Sequence, residues 1–122
     1  MRKKMMIIER NNDILSILTQ IFEEEGYLVT PYSSDKKMLE KVISEKPDVI
    51  VIDIFETSEE STGLCCEIRS INELKDIPII ALSTHVKAER IQAICADKLI
   101  GKPIDLYELI DAVESELPPE EK

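Results

Sequence analysis

The chain has 122 residues, of which 43% are hydrophobic and 33% are charged, and its formal net charge is −10. This composition indicates one soluble globular domain over residues 1–122, with 118–122 as a tail or the start of a linker. The negative charge argues against direct binding to nucleic acid, because neutralising phosphates requires clustered Lys and Arg. No apolar run approaches the roughly 18 residues of a membrane span, and the one near the start is too short for a signal peptide. The sequence therefore favours a cytoplasmic protein.

Apolar residues follow two alternating periods along the chain. Short apolar runs, several of them β-branched, predict buried strands at residues 5–8, 27–30, 49–52, 77–82 and 98–101. Apolar residues spaced three and four apart predict helices at 13–25, between Ser34 and Pro47, after a polar loop at 56–61, at 86–95, and after Asp105. The chain thus consists of five strand-then-helix units with short connections.

Capping residues and apolar stripes refine the predicted helices. Asn12, Ser34 and Asp105 are predicted N-caps, while Gly26 and Pro47 are predicted to end the first two helices. Each helix should turn an apolar stripe inward, and the predicted stripes are Ile14, Ile17, Leu18 and Ile21; Met38, Leu39, Val42 and Ile43; Leu64, Ile68 and Ile71; and Leu106, Leu109, Ile110 and Val113.

The cysteines show no metal-binding or redox spacing. Cys65 and Cys66 are neighbours, Cys95 stands apart, and the single histidine, His85, cannot complete a zinc site. We interpret all three cysteines as small core or helix-face residues in a reducing compartment, and His85 as a loop residue.

Five alternating units predict an α/β fold with a doubly wound parallel sheet and helices on both faces. Ligands bind such sheets beyond the carboxyl ends of the strands. The predicted strands end at Glu9 and Arg10, at Asp53, at Ser83 and at Lys102. Acids, a hydroxyl and a lysine should therefore meet at one edge of the sheet.

The sequence resembles the receiver domains of two-component response regulators, in the manner of the chemotaxis regulators, nearly end to end. The resemblance rests on an acid after the first strand, residues 47–53 (PDVIVID), residues 77–83 (IPIIALS) and the pair Lys102-Pro103. It implies a flavodoxin-like five-stranded sheet in the order 2-1-3-4-5. It also implies that a histidine kinase or a phosphotransfer protein phosphorylates Asp53, and that Ser83 and Lys102 bind the phosphoryl oxygens.

The same resemblance implies a Mg²⁺ ion held by Glu9, Asp53 and the backbone carbonyl of Phe55. It further implies that the face formed by the helix at 86–95, the strand at 98–101 and the last helix contacts an output partner or a second copy. The domain would not be an enzyme, beyond the self-catalysed transfer of a phosphoryl group to and from Asp53.

The metal site departs from the family pattern. Arg10 stands where the family has a second acid, which is normally a direct metal ligand, and Glu9, Asp53, Arg10 and Lys102 sum to zero charge. Since Mg²⁺ prefers carboxylate oxygens, we expect its binding to be weak or absent. Arg10 either pairs with Glu9 or Asp53 where the metal would sit, or points to solvent. Glu56 could lend a replacement carboxylate.

Readout also departs from the family pattern. Leu99 replaces the usual aromatic switch residue, Thr57 and Ser61 replace a frequent proline and glycine, and the stretch between Ser83 and Lys102 is short. The sequence therefore predicts that any phosphorylation is read out unusually.

Other classes fit the sequence less well. A phosphatase of the haloacid dehalogenase type needs a second Asp two residues after the first, where this chain has Phe55. Dinucleotide and flavin mononucleotide binding need a glycine-rich or hydroxyl-rich loop after the first strand, which is missing. A phosphorylation-independent pseudo-receiver that binds partner proteins remains an open alternative, because fold alone does not determine function.

Overall fold

The computed structural model describes residues 2–34, 37–54, 59–83 and 95–117, with the backbone alone for 59–62. These ranges contain, in chain order, β1 (Lys4–Ile8), α1 (Asn12–Glu24), β2 (Leu28–Tyr32), α2 (Met38–Glu45), β3 (Val49–Asp53), α3 (Glu59–Ser70), β4 (Ile79–Ser83), β5 (Lys98–Gly101) and α4 (Leu106–Glu116). The helix predicted at 86–95 and the tail 118–122 lie outside the described residues, apart from Cys95. Every helix in the described ranges is too short or too polar to cross a membrane.

All five strands run parallel in the order β2-β1-β3-β4-β5, as predicted. Two hydrophobic cores lie on opposite faces of this sheet: α2 and α3 pack on one, and α1 and α4 on the other. Alternate side chains of β3 pack in the two cores: Ile50 and Ile52 in one, and Val49 and Val51 in the other. Because both faces are covered, the central strand is a continuous apolar run instead of an alternating one.

The predicted apolar stripes of α2, α3 and α4 are largely confirmed, since most of their residues are buried, whereas the inward face of α1 differs in phase from its predicted stripe. In α1 the buried residues are Leu15, Leu18 and Phe22, whereas Ile17 is 52% exposed. Ile43 of α2 is likewise exposed, and so is Leu106 at the start of α4. Each helix contacts the sheet along a narrow line, so an apolar residue about one quarter-turn off that line remains in water.

Several boundaries also correct the prediction. β2 continues through Pro31 to Tyr32, which is possible because β2 is an edge strand and Pro needs no ladder partner there. The residue before α2 is Lys37, with a left-handed backbone and no side-chain cap, so Ser34 is not the N-cap. α3 begins at Glu59, inside the predicted loop, and β4 begins at Ile79, two residues late.

The first helix is capped by Asn11, one residue before the predicted Asn12. The Asn11 side chain accepts hydrogen bonds from the backbone N–H groups of Asp13 at 3.0 Å and Ile14 at 3.1 Å. The predicted cap of the last helix is confirmed, because the Asp105 side chain accepts from the N–H groups of Tyr107 and Glu108.

We predict that Asn11→Ala lowers the free energy of unfolding by about 1 kcal/mol, because two N–H groups at the helix start lose their acceptor. Asn12→Ala, at the first helical position, should change it by less than about 0.5 kcal/mol. Urea denaturation followed by far-ultraviolet circular dichroism measures both values. Equal losses in the two variants would contradict the assignment of Asn11 as the cap.

Candidate phosphoryl-acceptor site

Four candidate residues meet at the carboxyl edge of the sheet. Glu9 directly follows β1, Asp53 ends β3, Ser83 ends β4 and Lys102 directly follows β5. The strand register aligns these ends, since Asp53 lies opposite Leu82 and Ser83 opposite Gly101. The predicted convergence of two acids, a hydroxyl and a lysine is therefore present in the fold.

The Lys102 ammonium connects the two acids. Its Nζ donates a hydrogen bond to Glu9 Oε1 at 2.7 Å and lies 2.9 Å from Asp53 Oδ1. Glu9 is fully buried, and Asp53 and Ser83 are each 6% exposed. The Lys102 N–H also donates to the Ser83 carbonyl at 2.8 Å, and the Lys102-Pro103 peptide is cis. Backbone and side chain thus both hold Lys102 at this edge.

The protonation of Glu9 reflects its burial. Burial is the main cause that raises the pKa of Glu9 from 4.5 to about 7, and hydrogen bonding with Asp53 adds to it, while Lys102 acts in the opposite direction. Among the described residues, Glu9 Oε2 has no hydrogen-bond partner. Near neutral pH the site therefore holds Glu9 partly as the neutral acid, whose hydroxyl can donate a hydrogen bond.

The protonation of Lys102 is governed by two opposing effects. Burial lowers the pKa of Lys102, but hydrogen bonds to Glu9 and Asp53 outweigh burial and raise it above its ordinary value. Lys102 is therefore a fixed positive charge at the site at neutral pH.

The described side chains fit a divalent cation poorly. Two carboxylates, Glu9 and Asp53, are present, and the Lys102 ammonium already pairs with an oxygen of each. Within the described part of the chain, no three His, Cys, Asp or Glu side chains come together as a metal site. Arg10 is exposed, and the predicted contributions of Phe55 and Glu56 lie outside the described residues. Glu9 Oε2 has no hydrogen-bond partner among the described residues, but the Lys102 ammonium beside both carboxylates opposes a second cation there.

This arrangement favours chemistry on an anionic electrophile. An ammonium 2.9 Å from a carboxylate oxygen offsets the negative charge that accumulates when that carboxylate attacks a phosphoryl group. The Ser83 residue, at the end of the next strand, has a hydroxyl of the kind that donates to phosphoryl oxygens.

The interpretation of the cysteines is correct for one residue and wrong for two. Cys65 is a buried core thiol whose pKa burial raises to about 12. Cys66 and Cys95 form a disulfide across 29 positions of sequence, joining α3 to the chain just before β5. No local pattern signals this pairing, because it depends on how α3 packs beside β5.

Comparison with known proteins agrees with the fold. The sequence pattern of the response regulator receiver domain matches residues 5–114. Sporulation initiation phosphotransferase F of Bacillus subtilis (strain 168) is 26% identical over 121 residues, covering 97% of this chain and 96% of that protein. The chemotaxis protein CheY4 of Vibrio cholerae superposes with a TM-score of 0.85 at 20% identity, covering 96% of this chain and 100% of that one.

A third relative is the receiver domain of the Francisella response regulator 1452, with a TM-score of 0.82 at 26% identity over 94% of this chain and 96% of that one. The chain therefore belongs to the response regulator receiver domain family. Members of this family are signalling modules of two-component systems that interact with histidine kinases or phosphotransfer proteins and are in general not enzymes.

We predict that ionisation of Glu9 destabilises the fold as the pH rises. The unfolded chain loses this proton near pH 4.5 and the folded chain near pH 7, so stability falls between these values and the loss is complete above pH 7. Glu9→Gln cannot ionise. Its free energy of unfolding relative to wild type should therefore increase by roughly 2–4 kcal/mol over that range.

Urea denaturation at a series of pH values, in the presence of a chelator, measures this difference. Glu67→Gln, which alters an exposed acid on α3, is the matched control and should follow the wild-type profile. If the Glu9→Gln and wild-type curves ran parallel from pH 4.5 to above pH 7, the burial argument for Glu9 would be wrong.

Proposed function

We propose that this receiver domain accepts a phosphoryl group on Asp53 from a histidine kinase or a phosphotransfer protein. The observation that supports this most directly is the Lys102 ammonium 2.9 Å from Asp53 Oδ1, at the edge where a parallel sheet binds its ligands. Ser83, buried at the end of the adjacent strand, is the proposed hydroxyl donor. The relative named as a sporulation phosphotransferase supports a role in a phosphorelay.

The proposed transfer uses residues of this chain as follows. An oxygen of Asp53 attacks the phosphorus, a P–O bond forms, and the P–N bond to the donor histidine breaks. The Lys102 ammonium balances the charge on the three phosphoryl oxygens, and Ser83 donates a hydrogen bond to one of them. Hydrolysis later returns Asp53 to its free carboxylate, so the domain is at most a catalyst of its own phosphorylation and dephosphorylation.

The proposed Mg²⁺ dependence is weak or absent. Glu9 and Asp53 are already paired with Lys102. The position after Glu9, where the family has a second acid, is occupied by the exposed Arg10. A buried carboxyl that keeps its proton to about pH 7 is also a poor ligand for a hard cation, because the proton must leave first. The backbone carbonyl of Phe55 remains a proposed third ligand.

We further propose a cytoplasmic location and an output surface on β5 and α4, together with residues 86–95, for a partner protein or a second copy. Leu106 and the largely exposed Tyr107 lie at the start of α4 on that side of the domain. We propose no direct contact with nucleic acid or membrane.

A second candidate function is a pseudo-receiver that binds its partner without phosphorylation. The observation in its favour is that Lys102 pairs with an oxygen of each acid, so these three residues form an ion cluster within the domain. Such a cluster would stabilise the fold without any transfer chemistry.

We predict that incubation with acetyl phosphate adds the mass of one phosphoryl group to the wild-type domain and none to Asp53→Asn. Lys102→Met should lower the rate of labelling by about 100-fold, because the positive charge beside Asp53 is lost. Intact mass spectrometry measures both, and circular dichroism confirms that the variants are folded. Absence of labelling in the wild type with and without Mg²⁺ would favour the pseudo-receiver.

We predict that the wild-type domain does not bind Mg²⁺ with a sub-millimolar dissociation constant, and that Arg10→Asp increases the affinity at least about tenfold by restoring an acid. Isothermal titration calorimetry measures both. Arg2→Asp makes the same charge change before β1, at the opposite end of the strands, and should leave affinity unchanged. A similar gain in both variants would attribute the effect to net charge and contradict the ligand argument.

A further inference from the structure

Two cysteines outside the candidate site are joined where α3 meets the start of β5. The Cα atoms of Cys66 and Cys95 are 5.2 Å apart, and both residues are partly exposed. Their neighbour Cys65 is fully buried, and burial raises the pKa of its thiol to about 12. Because thiolates are the reactive species, Cys65 is inert, whereas Cys66 and Cys95 can be reached by small thiols and disulfides.

An independent set of contacts holds Cys95 beside α3. Arg69, one turn along α3 from Cys66, donates from Nε to the Cys95 carbonyl at 3.1 Å. Its Nη1 donates to the carbonyls of Lys75 and Ile77, and its Nη2 forms an ion pair with Asp97. The two sulfur atoms would therefore stay close after reduction, which favours reformation of the bond.

The same contacts define the start of β5. The Asp97 side chain accepts a hydrogen bond from the Ile79 N–H at 2.7 Å, and its own N–H donates to the Ile79 carbonyl at 2.8 Å. β5 follows at once, and Lys102 comes directly after its last residue. The disulfide thus fixes the chain shortly before β5, and the ion pairs of Lys102 fix it at the other end.

β5 is the least supported strand of the site. It has four residues, pairs with β4 alone at the edge of the sheet, and buries one side chain, Ile100. Short edge elements with few buried contacts open locally at low free energy. A covalent bond just before such a strand removes part of the freedom that opening would gain.

We propose that Cys66 and Cys95 are a reversible redox pair whose disulfide determines how firmly β5, and with it Lys102, is held on the sheet. In the oxidation, the two thiols lose their protons and two electrons and form one S–S bond. A small-molecule disulfide such as oxidised glutathione takes up both electrons and both protons and becomes two thiols. A dithiol reductant reverses the reaction. The redox pair stands independently of phosphorylation, and its effect on labelling of Asp53 rests on the proposed function.

The bond is tested by equilibrating the wild-type protein in mixtures of reduced and oxidised glutathione, quenching in acid, and alkylating the denatured chain. We expect one alkylated cysteine, Cys65, under oxidising conditions and three under reducing conditions, with a reversible transition between them. Peptide mapping should assign the bond to Cys66 and Cys95. Three free thiols under all conditions, or a bond that involves Cys65, would overturn the proposal.

The structural effect is tested by hydrogen–deuterium exchange on the oxidised and reduced protein. Reduction should speed exchange of the amides of β5 about tenfold or more and leave β1 and β3 unchanged. It should also lower the melting temperature by on the order of 10 °C, from the loss of a cross-link that spans 29 positions. Unchanged exchange in β5 would overturn the proposal even if the bond forms.

Cysteine variants distinguish the effect of the Cys66–Cys95 disulfide from other effects of the redox reagents. Cys66→Ser should show the exchange of the reduced protein under all conditions, and Cys65→Ala should keep the full redox response. Redox-dependent exchange in Cys66→Ser would contradict the assignment. Should Cys66→Ser not fold, the wild type in its two redox states still decides the question.

Labelling with acetyl phosphate then distinguishes the two proposals. We expect the reduced wild type to be labelled about threefold or more slowly than the oxidised form, because Lys102 is less firmly placed. If neither form is labelled, the phosphorylation proposal fails while the exchange data still decide the redox proposal. Equal labelling rates combined with faster β5 exchange would confine the effect of the bond to the fold and overturn its role at Lys102.

Discussion

One ammonium between two buried carboxylates is the interaction on which the rest of the site depends. Moving Glu9, Asp53 and Lys102 out of water costs several kcal/mol for each charge, and their mutual attraction must offset this cost. A single positive charge cannot neutralise two negative ones. Burial, more than the neighbouring charge of Asp53, raises the pKa of Glu9, and a proton on Glu9 then reduces the negative charge of the site. Any cation that used Glu9 as a ligand would have to replace that proton, so protons and metal ions compete for the same oxygen.

The ligand count matters more than repulsion in the metal question. Arg10 is exposed, and water screens an exposed guanidinium, so it repels an ion at the site less than a buried charge would. The larger loss is the carboxylate oxygen that an acid at position 10 would supply. The structure also shows that the cation between Glu9 and Asp53 is Lys102, which the sequence had assigned to the phosphoryl oxygens alone.

Much of this site could be predicted because, in a parallel sheet, the last residues of all strands lie at the same edge. A buried apolar run marks each strand, and the residue that ends the run must lie at the carboxyl edge. That rule places Glu9, Asp53, Ser83 and Lys102 together before any coordinates are known. It does not predict that Lys102 pairs with both Glu9 and Asp53, because that depends on the direction of the side chains. Nor does it fix the helix phase, since the apolar stripe of α1 is wider than its contact with the sheet, and Ile17 falls outside that contact.

The Cys66–Cys95 bond depends on packing between α3 and the start of β5, so the sequence contains no local sign of it.

The position of Lys102 depends on interactions at both ends of a weak strand. β5 pairs only with β4 and buries little, so its own contacts hold it poorly. At its start, Arg69 and Asp97 tie the chain to α3 and β4. At its end, any displacement of Lys102 would leave Glu9 and Asp53 buried without their cation, at a cost larger than the strand could recover by solvation. The strand and the ion pairs therefore stabilise each other: the contacts of Arg69 and Asp97 hold the start of β5, and the ion pairs of Lys102 hold its end.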